Sequence, residues 1–379
     1  MTNCSVPTLP EHRPDAPSAG PSVHLKFQTP DPFRQALCRR VDAYFARTGR
    51  KPRDCPGMYA KSAIILIACA AVYGVLVAVA GVWLLAVPLA VLLGLTLAAV
   101  AFNIQHDGSH GAYSDRRWVN RLAALTLDLL GGSSYVWARK HNAIHHSYTN
   151  VAGHDDDIDV GLLGRLTPQQ RRLKFHRFQH LYLWFLYGFL PMKWHLFDDF
   201  RDVLTGRIGG HRFPRPRGWD LVIFIGGKVL FFSLAFGLPM LVNPWWRVLV
   251  LYAIASFVQG LTLSAVFQMA HCVEDAEFPQ PRAETGRIAS SWAVHQVQTT
   301  VDFAPGSRLL TWLVGGLNYQ IEHHLLPHVC HVHYPALASI VQETCHEFAL
   351  KYRSCKSLAE GLVSHYRWLR QMGSPMAAT

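Results

Sequence analysis

Seven histidines fall into three short clusters: His106 and His110 in HDGSH, His141, His145 and His146 in HNAIHH, and His323 and His324 in QIEHH. Neutral imidazole is a very common ligand for first-row transition metals. His106 and His110 are four residues apart, so on a helix they share one face. His141, His145 and His146 stand at i, i+4 and i+5 and point into roughly one sector. His323 and His324, preceded by Gln320, repeat the arrangement. Adjacent histidines on a helix diverge by about 100°, so each pair can straddle two ions. Surface or core histidines with ordinary hydrogen bonds explain any one cluster, but they explain three of the same form poorly. Seven imidazoles are too many for one four-coordinate zinc. They suit two metals with open positions for a small ligand.

Such clusters need elements that bring them to one place. From Ser62 to Phe102 there is no charged residue and no histidine. One membrane crossing takes about 20 apolar residues over roughly 30 Å, so this stretch reads as two helices turning near Ala80–Gly81. Pro88 is tolerable there, because neighbouring helices can satisfy the freed carbonyl. A second apolar region, 219–270, is interrupted by Asn243, Pro244, Trp245 and Trp246, and the tryptophan pair suits a membrane–water interface. The expected spans are about 62–80, 82–102, 220–241 and 247–270. Lys228 inside the third span reads as a functional charge, a snorkelling side chain or, in preference, the mark of a shifted boundary. Two hairpins place residues 1–61, 103–218 and 271–379 on the same side. Those segments carry 10, 16 and 8 Lys+Arg and all 21 histidines, which assigns that side to the cytoplasm.

Residues 121–138 and 180–197 mix apolar and aromatic residues with charges at their edges. They read as helices lying in the interface, with a re-entrant segment open for the second. The tail after Pro335 has helical periodicity and is expected to pack over the cytosolic part. The fold class that follows is an all-α membrane protein. It has about four transmembrane helices in two hairpins, a cytosolic histidine-rich helical domain and interfacial helices. Residues 1–61 form a cytosolic segment with a disordered start, and 62–379 form one membrane domain.

Composition agrees. Half of the 379 residues are hydrophobic and 16% are charged, against about 25% charged in an average soluble chain. The net charge of +11 coexists with long apolar runs, which favours an anionic leaflet or an acidic protein partner over nucleic acid. The eight cysteines show no CxxC and no framework spacing, as in a reduced, cytosol-facing environment. The proline-rich start has no apolar core and is not a signal peptide.

With its flanks, this pattern resembles the integral-membrane fatty acid desaturases. The three boxes read His106-Asp107-Gly108-Ser109-His110, His141-Asn142-Ala143-Ile144-His145-His146 and Gln320-Ile321-Glu322-His323-His324. WxRKHNxxHHxYTN surrounds the second box, DDDID follows it, and GGLNYQIEHHLLP surrounds the third. The glutamine opening the third box resembles the front-end and bacterial linoleoyl-type branch. The resemblance implies a non-haem di-iron centre held by the seven box histidines, with His271 as an additional ligand at the exit of the fourth span. Gln320, where others have histidine, could ligate weakly, bind through water or orient a neighbour. His295 is open between ligand and packing. His328, His331 and His333 are candidates for supporting the ligands, as are Asp107 and Glu322. Most of the DDDID run reads as a solvated loop or a helix cap.

The implied reaction uses O2 and two electrons to place a double bond in a long acyl chain bound beside the metals. No haem motif is present in residues 1–61, so a separate ferredoxin or cytochrome b5 is implied, and a basic face suits an acidic donor. Hydroxylation of an acyl, alkane or carotenoid-type substrate is the alternative. A metal transporter fits poorly, since the spans 62–102 and 219–270 contain no histidine or carboxylate other than Asp220 at one edge.

Overall fold

The structure is a computed structural model and describes residues 25–375. The disordered start expected for the N-terminus falls on residues 1–24, outside the described residues. Apart from two pairs of two-residue strands, the regular elements are helical. Four helices are long and apolar enough to cross a membrane: Pro56–Val79, Trp83–Ser109, Trp219–Met240 and Trp245–His271. Short turns join the first to the second and the third to the fourth. The spans expose apolar side chains outward, as bilayer-facing helices must, with Leu84 85% and Ile67 69% accessible.

The start of the first helix differs from the sequence expectation. The first helix begins at Pro56, where proline suits the opening turn. It includes Lys61, whose ammonium is buried 3.0 Å from His331 Nε2. The second helix runs past Phe102 to Ser109, so it continues beyond the apolar run and presents His106 in its last turn and His110 at its cap, as expected of a box that directly follows the span. At the first helix the Lys61 side chain faces protein, so its charge does not mark the helix start. The second and fourth spans pack closely at Gly94, where a Cβ would stand 2.4 Å from the Ala255 carbonyl oxygen.

Lys228 corrects another expectation. It neither snorkels nor marks a boundary; it is buried, donating to Asp199 Oδ2 at 2.7 Å and to the Gly131 carbonyl at 2.6 Å. That pair ties the third span to the segment 194–205. Helices at Arg117–Ala124 and Gln179–Tyr187 expose Trp118, Leu122, Leu181 and Phe185, as interfacial helices do.

On the box-bearing side, the helix Pro32–Thr48 buries Phe33, Leu37, Val41 and Phe45 in one core with Tyr334, Leu337 and Val341 of the helix Tyr334–Glu347. The C-terminal helix Leu358–Gly373 packs Trp368, Leu369 and Met372 on Leu183 and Tyr187. Among the described residues, Cys55, Cys69, Cys272, Cys330, Cys345 and Cys355 are free thiols.

Candidate metal centre

Each box is delivered by a specific backbone device. The π-helical turn Ala101–Gln105 leads into the first box, and the π-helical stretch Ala138–His145 contains most of the second. A π turn bonds i to i+5 and re-phases the side chains after it; here it stacks the His141 and His145 rings 5.1 Å apart at 17°. The third box is the helix Gln320–Leu325, set by the turn at Gly315 and Gly316. Both glycines have positive φ, and a Cβ on Gly315 would stand 2.3 Å from the Phe102 carbonyl oxygen. That approach brings the third box against the end of the second span.

The boxes converge. One nitrogen from each of His106, His110, His141 and His323 lies within 4.8 Å of the others, and the same holds for His145, His271 and His324. His146, His323 and His324 form a third such group, so the first two sets abut. All eight residues are buried. His106 Nε2 and His141 Nε2 are 3.2 Å apart, and His146 Nε2 and His323 Nε2 are 3.1 Å apart. Two nitrogens each about 2.1 Å from one ion stand roughly 3.0 Å apart at a right angle and 3.4 Å at a tetrahedral angle, so this spacing is that of co-ligands.

The donor set has the character a metal requires. Burial first, and neighbouring imidazoles second, push His110, His141, His146, His323 and His324 well below the ordinary histidine value, keeping them neutral. His110 Nε2, His146 Nδ1, His271 Nδ1 and His324 Nε2 are buried without a hydrogen-bond partner. Each such atom costs about 1–3 kcal/mol if left unpaired. A bound metal removes that penalty, so the residues fit the group.

Further residues fix the rings. His145 Nδ1 faces Asp155 Oδ2 at 3.0 Å, His141 Nδ1 faces Asp157 at 3.4 Å, His323 Nδ1 faces the Tyr334 hydroxyl at 3.2 Å, and His324 Nδ1 faces Gln296 Oε1 at 2.9 Å. With Nδ1 held, Nε2 of each ring is left to meet an ion. Burial opposes a charge on His145 as well, but the Asp155 carboxylate outweighs it and raises that histidine.

Several sequence expectations change here. Asp155 caps a short helix, accepting from the Asp157 amide as the capping alternative had it, but it is buried against His145 rather than solvated. Asp107 accepts from His331 Nδ1 at 2.9 Å rather than from a box histidine, and Glu322 accepts from Tyr352 at 3.0 Å. His295 Nε2 donates to the Thr149 carbonyl, 2.9 Å away, and lies in none of the histidine groups; its neighbour Gln296 is the residue at the centre. Gln320 is buried with its Nε2 unpartnered. His328 and His333 contact the His110 and Lys51 carbonyls. Asp155 and Asp157 had a sequence signal in DDDID; Gln296 and Tyr334 had none.

A sequence profile of the fatty acid desaturases matches residues 81–356. The chain belongs to the fatty acid desaturase family. Among similar proteins, the sn-1 linoleoyl-lipid 6-desaturase of Synechocystis is 36% identical, covering 92% of this chain and 98% of that protein. The sn-1 linoleoyl-lipid 6-desaturase of Arthrospira platensis is 40% identical over 90% and 92%. An acyl-lipid (8-3)-desaturase of Physcomitrium patens is 38% identical over 90% and 72%. These relatives lie in the front-end and bacterial branch to which the QIEHH box pointed. The protein is a membrane oxidoreductase that introduces a double bond into a fatty acyl chain, and the hydroxylase alternative is disfavoured.

Proposed function

We propose that the desaturase holds two irons, one among His106, His110, His141 and His323, the other among His145, His271 and His324 with His146 between them, and acts on an acyl chain esterified in a membrane lipid. The observation that carries this reading is an apolar cavity against His106. Phe102, Leu127, Leu130, Trp137, Leu263 and Phe267 line it, so it lies between the second and fourth spans and the interfacial segments. The space between these walls is narrow, and their apolar chemistry is that of a site a hydrocarbon chain would open and fill. Gln105 and Gln259 share the lining, and a lipid-bound chain can enter from the bilayer without leaving it.

When bound, the irons would supply O2 activation; overall, one O2, two electrons and two protons take two hydrogens from the chain and leave two waters. The protein's own part is positional. Asp155, Asp157, Gln296 and Tyr334 fix the imidazoles, and the cavity walls hold adjacent methylenes beside His106 so that the second hydrogen leaves before oxygen can be inserted. Gln320 orients a neighbour or holds a water, and His271 fills the ligand position that a histidine there would have occupied. The basic side carrying the boxes faces the cytoplasm, where an acidic ferredoxin or cytochrome b5 delivers electrons. The names of the relatives support linoleoyl, an already unsaturated chain, as the substrate type.

The test is expression in a host supplied with linoleate, followed by gas chromatography–mass spectrometry of each lipid class. A new double bond on the carboxyl side of the existing ones, appearing in intact lipid before the CoA pool, is expected. A hydroxylated product, or a product arising first on CoA, contradicts the reading.

A further inference from the structure

Two residues that line the cavity against His106 carry a buried nitrogen with no hydrogen-bond partner among the described residues: Trp137 at Nε1 and Gln105 at Nε2. Trp137 is 9% exposed and Gln105 2%. An indole N–H only donates, so Trp137 calls for an acceptor, and the Gln105 amide brings a second donor to the same space. His195, on the same wall, is already engaged, its Nδ1 lying 3.0 Å from the Tyr252 hydroxyl. A run of methylenes has no acceptor. A purely hydrocarbon occupant would leave both donors buried and unsatisfied, which burial penalises. The occupant that fits carries an oxygen at this point.

A second cavity adjoins the first. Leu127, Gly132, Trp137 and Trp194 line both, so the two spaces meet at Trp137. The first is continued by Ala101, Phe102 and Leu263 of the second and fourth spans. The second adds Ser133, Lys140, Asp198, Asp199 and Asp202. Its charges are neutralised within the protein: Lys140 pairs with Asp156 at 2.9 Å, Lys228 with Asp199 at 2.7 Å, and Arg201 with Asp198 and Asp202 at 3.2 and 2.8 Å. It therefore offers polar walls and not an ion site. Trp137 stands where hydrocarbon-lined space gives way to polar space. An esterified acyl chain divides in the same way, with its carbonyl at the division.

We propose that Trp137 Nε1 and Gln105 Nε2 donate to the acyl carbonyl oxygen of the substrate, with the hydrocarbon in the first cavity and the headgroup end along the second. This rests on the reading of that cavity as the acyl site, and the group recognised is common to a lipid ester and a CoA thioester. The anchor is close to the metal centre. The Trp137 ring stacks on His141, centroids 4.5 Å apart at 23°, and His141 Nε2 is 3.2 Å from His106 Nε2; Gln105 immediately precedes His106. A carbonyl held there leaves the carbons nearest the carboxyl end beside the metals, so the site counts from the carbonyl and not from the methyl end. Both residues are binding residues that set the position of the new double bond.

The experiment uses the metal-loaded full chain in lipid nanodiscs and two probes, a glycerolipid carrying linoleate as an ester and its analogue carrying the same chain as an ether, which lacks the carbonyl. The parent should turn over the ester with a kcat/KM higher on the order of tenfold or more. W137F keeps a ring against His141 and loses the N–H; it and Q105L should each lower the ester-to-ether ratio several-fold, and the double variant should bring it to about one. With the anchor gone the chain should also slide, spreading the new double bond over more than one position. A structural role for these residues would slow both probes alike, and a ratio unchanged in the variants overturns the proposal, as does a parent that does not distinguish ester from ether. Infrared spectroscopy of the parent under anaerobic conditions, with an isotope-labelled ester carbonyl, needs no variant: a stretch at lower wavenumber than in the bilayer is expected, and an unshifted band overturns the assignment. A parent that ignores the lipid but accepts linoleoyl-CoA contradicts the lipid reading alone; the carbonyl assignment is then decided by the same ratio, measured between the CoA thioester and its thioether.

Discussion

Replacing Asp155 by asparagine tests the idea that carboxylates behind the imidazoles set the metal centre. Asp155 is 2% exposed. Its Oδ1 meets His145 Nδ1 at 3.1 Å and the Asp157 amide at 3.0 Å, and its Oδ2 meets His145 Nδ1 at 3.0 Å and the Asn150 amide at 2.9 Å. An asparagine keeps the shape but turns one acceptor into a donor, which then faces a backbone N–H. A hydrogen bond to a charged group contributes about 1.5–3 kcal/mol, and loss of a group behind a metal-bound histidine costs roughly 10- to 100-fold in metal affinity or activity. The two figures agree, since that range is about 1.4–2.7 kcal/mol. D155N should therefore lose metal at a chelator concentration lower by that factor, with turnover falling alongside. The assay is metal content by inductively coupled plasma mass spectrometry after graded dialysis, paired with product formation by gas chromatography. D159N, at an exposed position of the same run, is the local control and should leave both unchanged. A D155N protein matching the parent in metal retention and turnover, or a D159N protein equally impaired, would refute the reasoning.

Other expectations follow from the same geometry. H324A should lose bound metal and turnover while still inserting in membranes, whereas H328A, whose ring contacts the His110 carbonyl, should retain metal. G315A places a methyl against the Phe102 carbonyl at a positive φ and should lower stability by about 1–3 kcal/mol, read as a drop in melting temperature of the detergent-solubilised protein. K228M leaves Asp199 buried without its ammonium, a loss of about 3–5 kcal/mol that a second change, D199N, should partly reverse; a K228M protein as stable as the parent contradicts the pairing. Stripping metal with a chelator should lower the melting temperature, and restoring ferrous iron should raise it again, because the ion binds only the folded chain.

The sequence was legible where a pattern repeats or persists. Three boxes of one form pointed to a shared centre, and an uncharged run too long for one crossing pointed to a hairpin. It was less legible where local chemistry has a long-range explanation. Lys61 looks like a reason to start the helix after it, yet it lies inside one because its ammonium faces protein. Lys228 looks like a charge seeking water, yet its partner Asp199 lies 29 residues away in sequence, just beyond the segment read as interfacial. Asp155 belongs to an acidic run of the kind that is usually solvated or capping, and only the fold places it beneath His145. Gln296 and Tyr334 meet the third box through tertiary packing that no local pattern announces. The π-helical phasing that stacks His141 on His145 is likewise absent from a reading based on 3.6 residues per turn.

The most direct test of the central claim is iron stoichiometry measured on the active protein. Iron per chain should be counted in preparations of known turnover, for the parent and for H271A and H110A, each of which removes a histidine from only one of the two abutting sets. Two irons per chain in the parent, with each variant losing iron and activity together, is the predicted result. Full turnover at one iron per chain, or either variant retaining two irons and full turnover, would contradict a centre built from both sets.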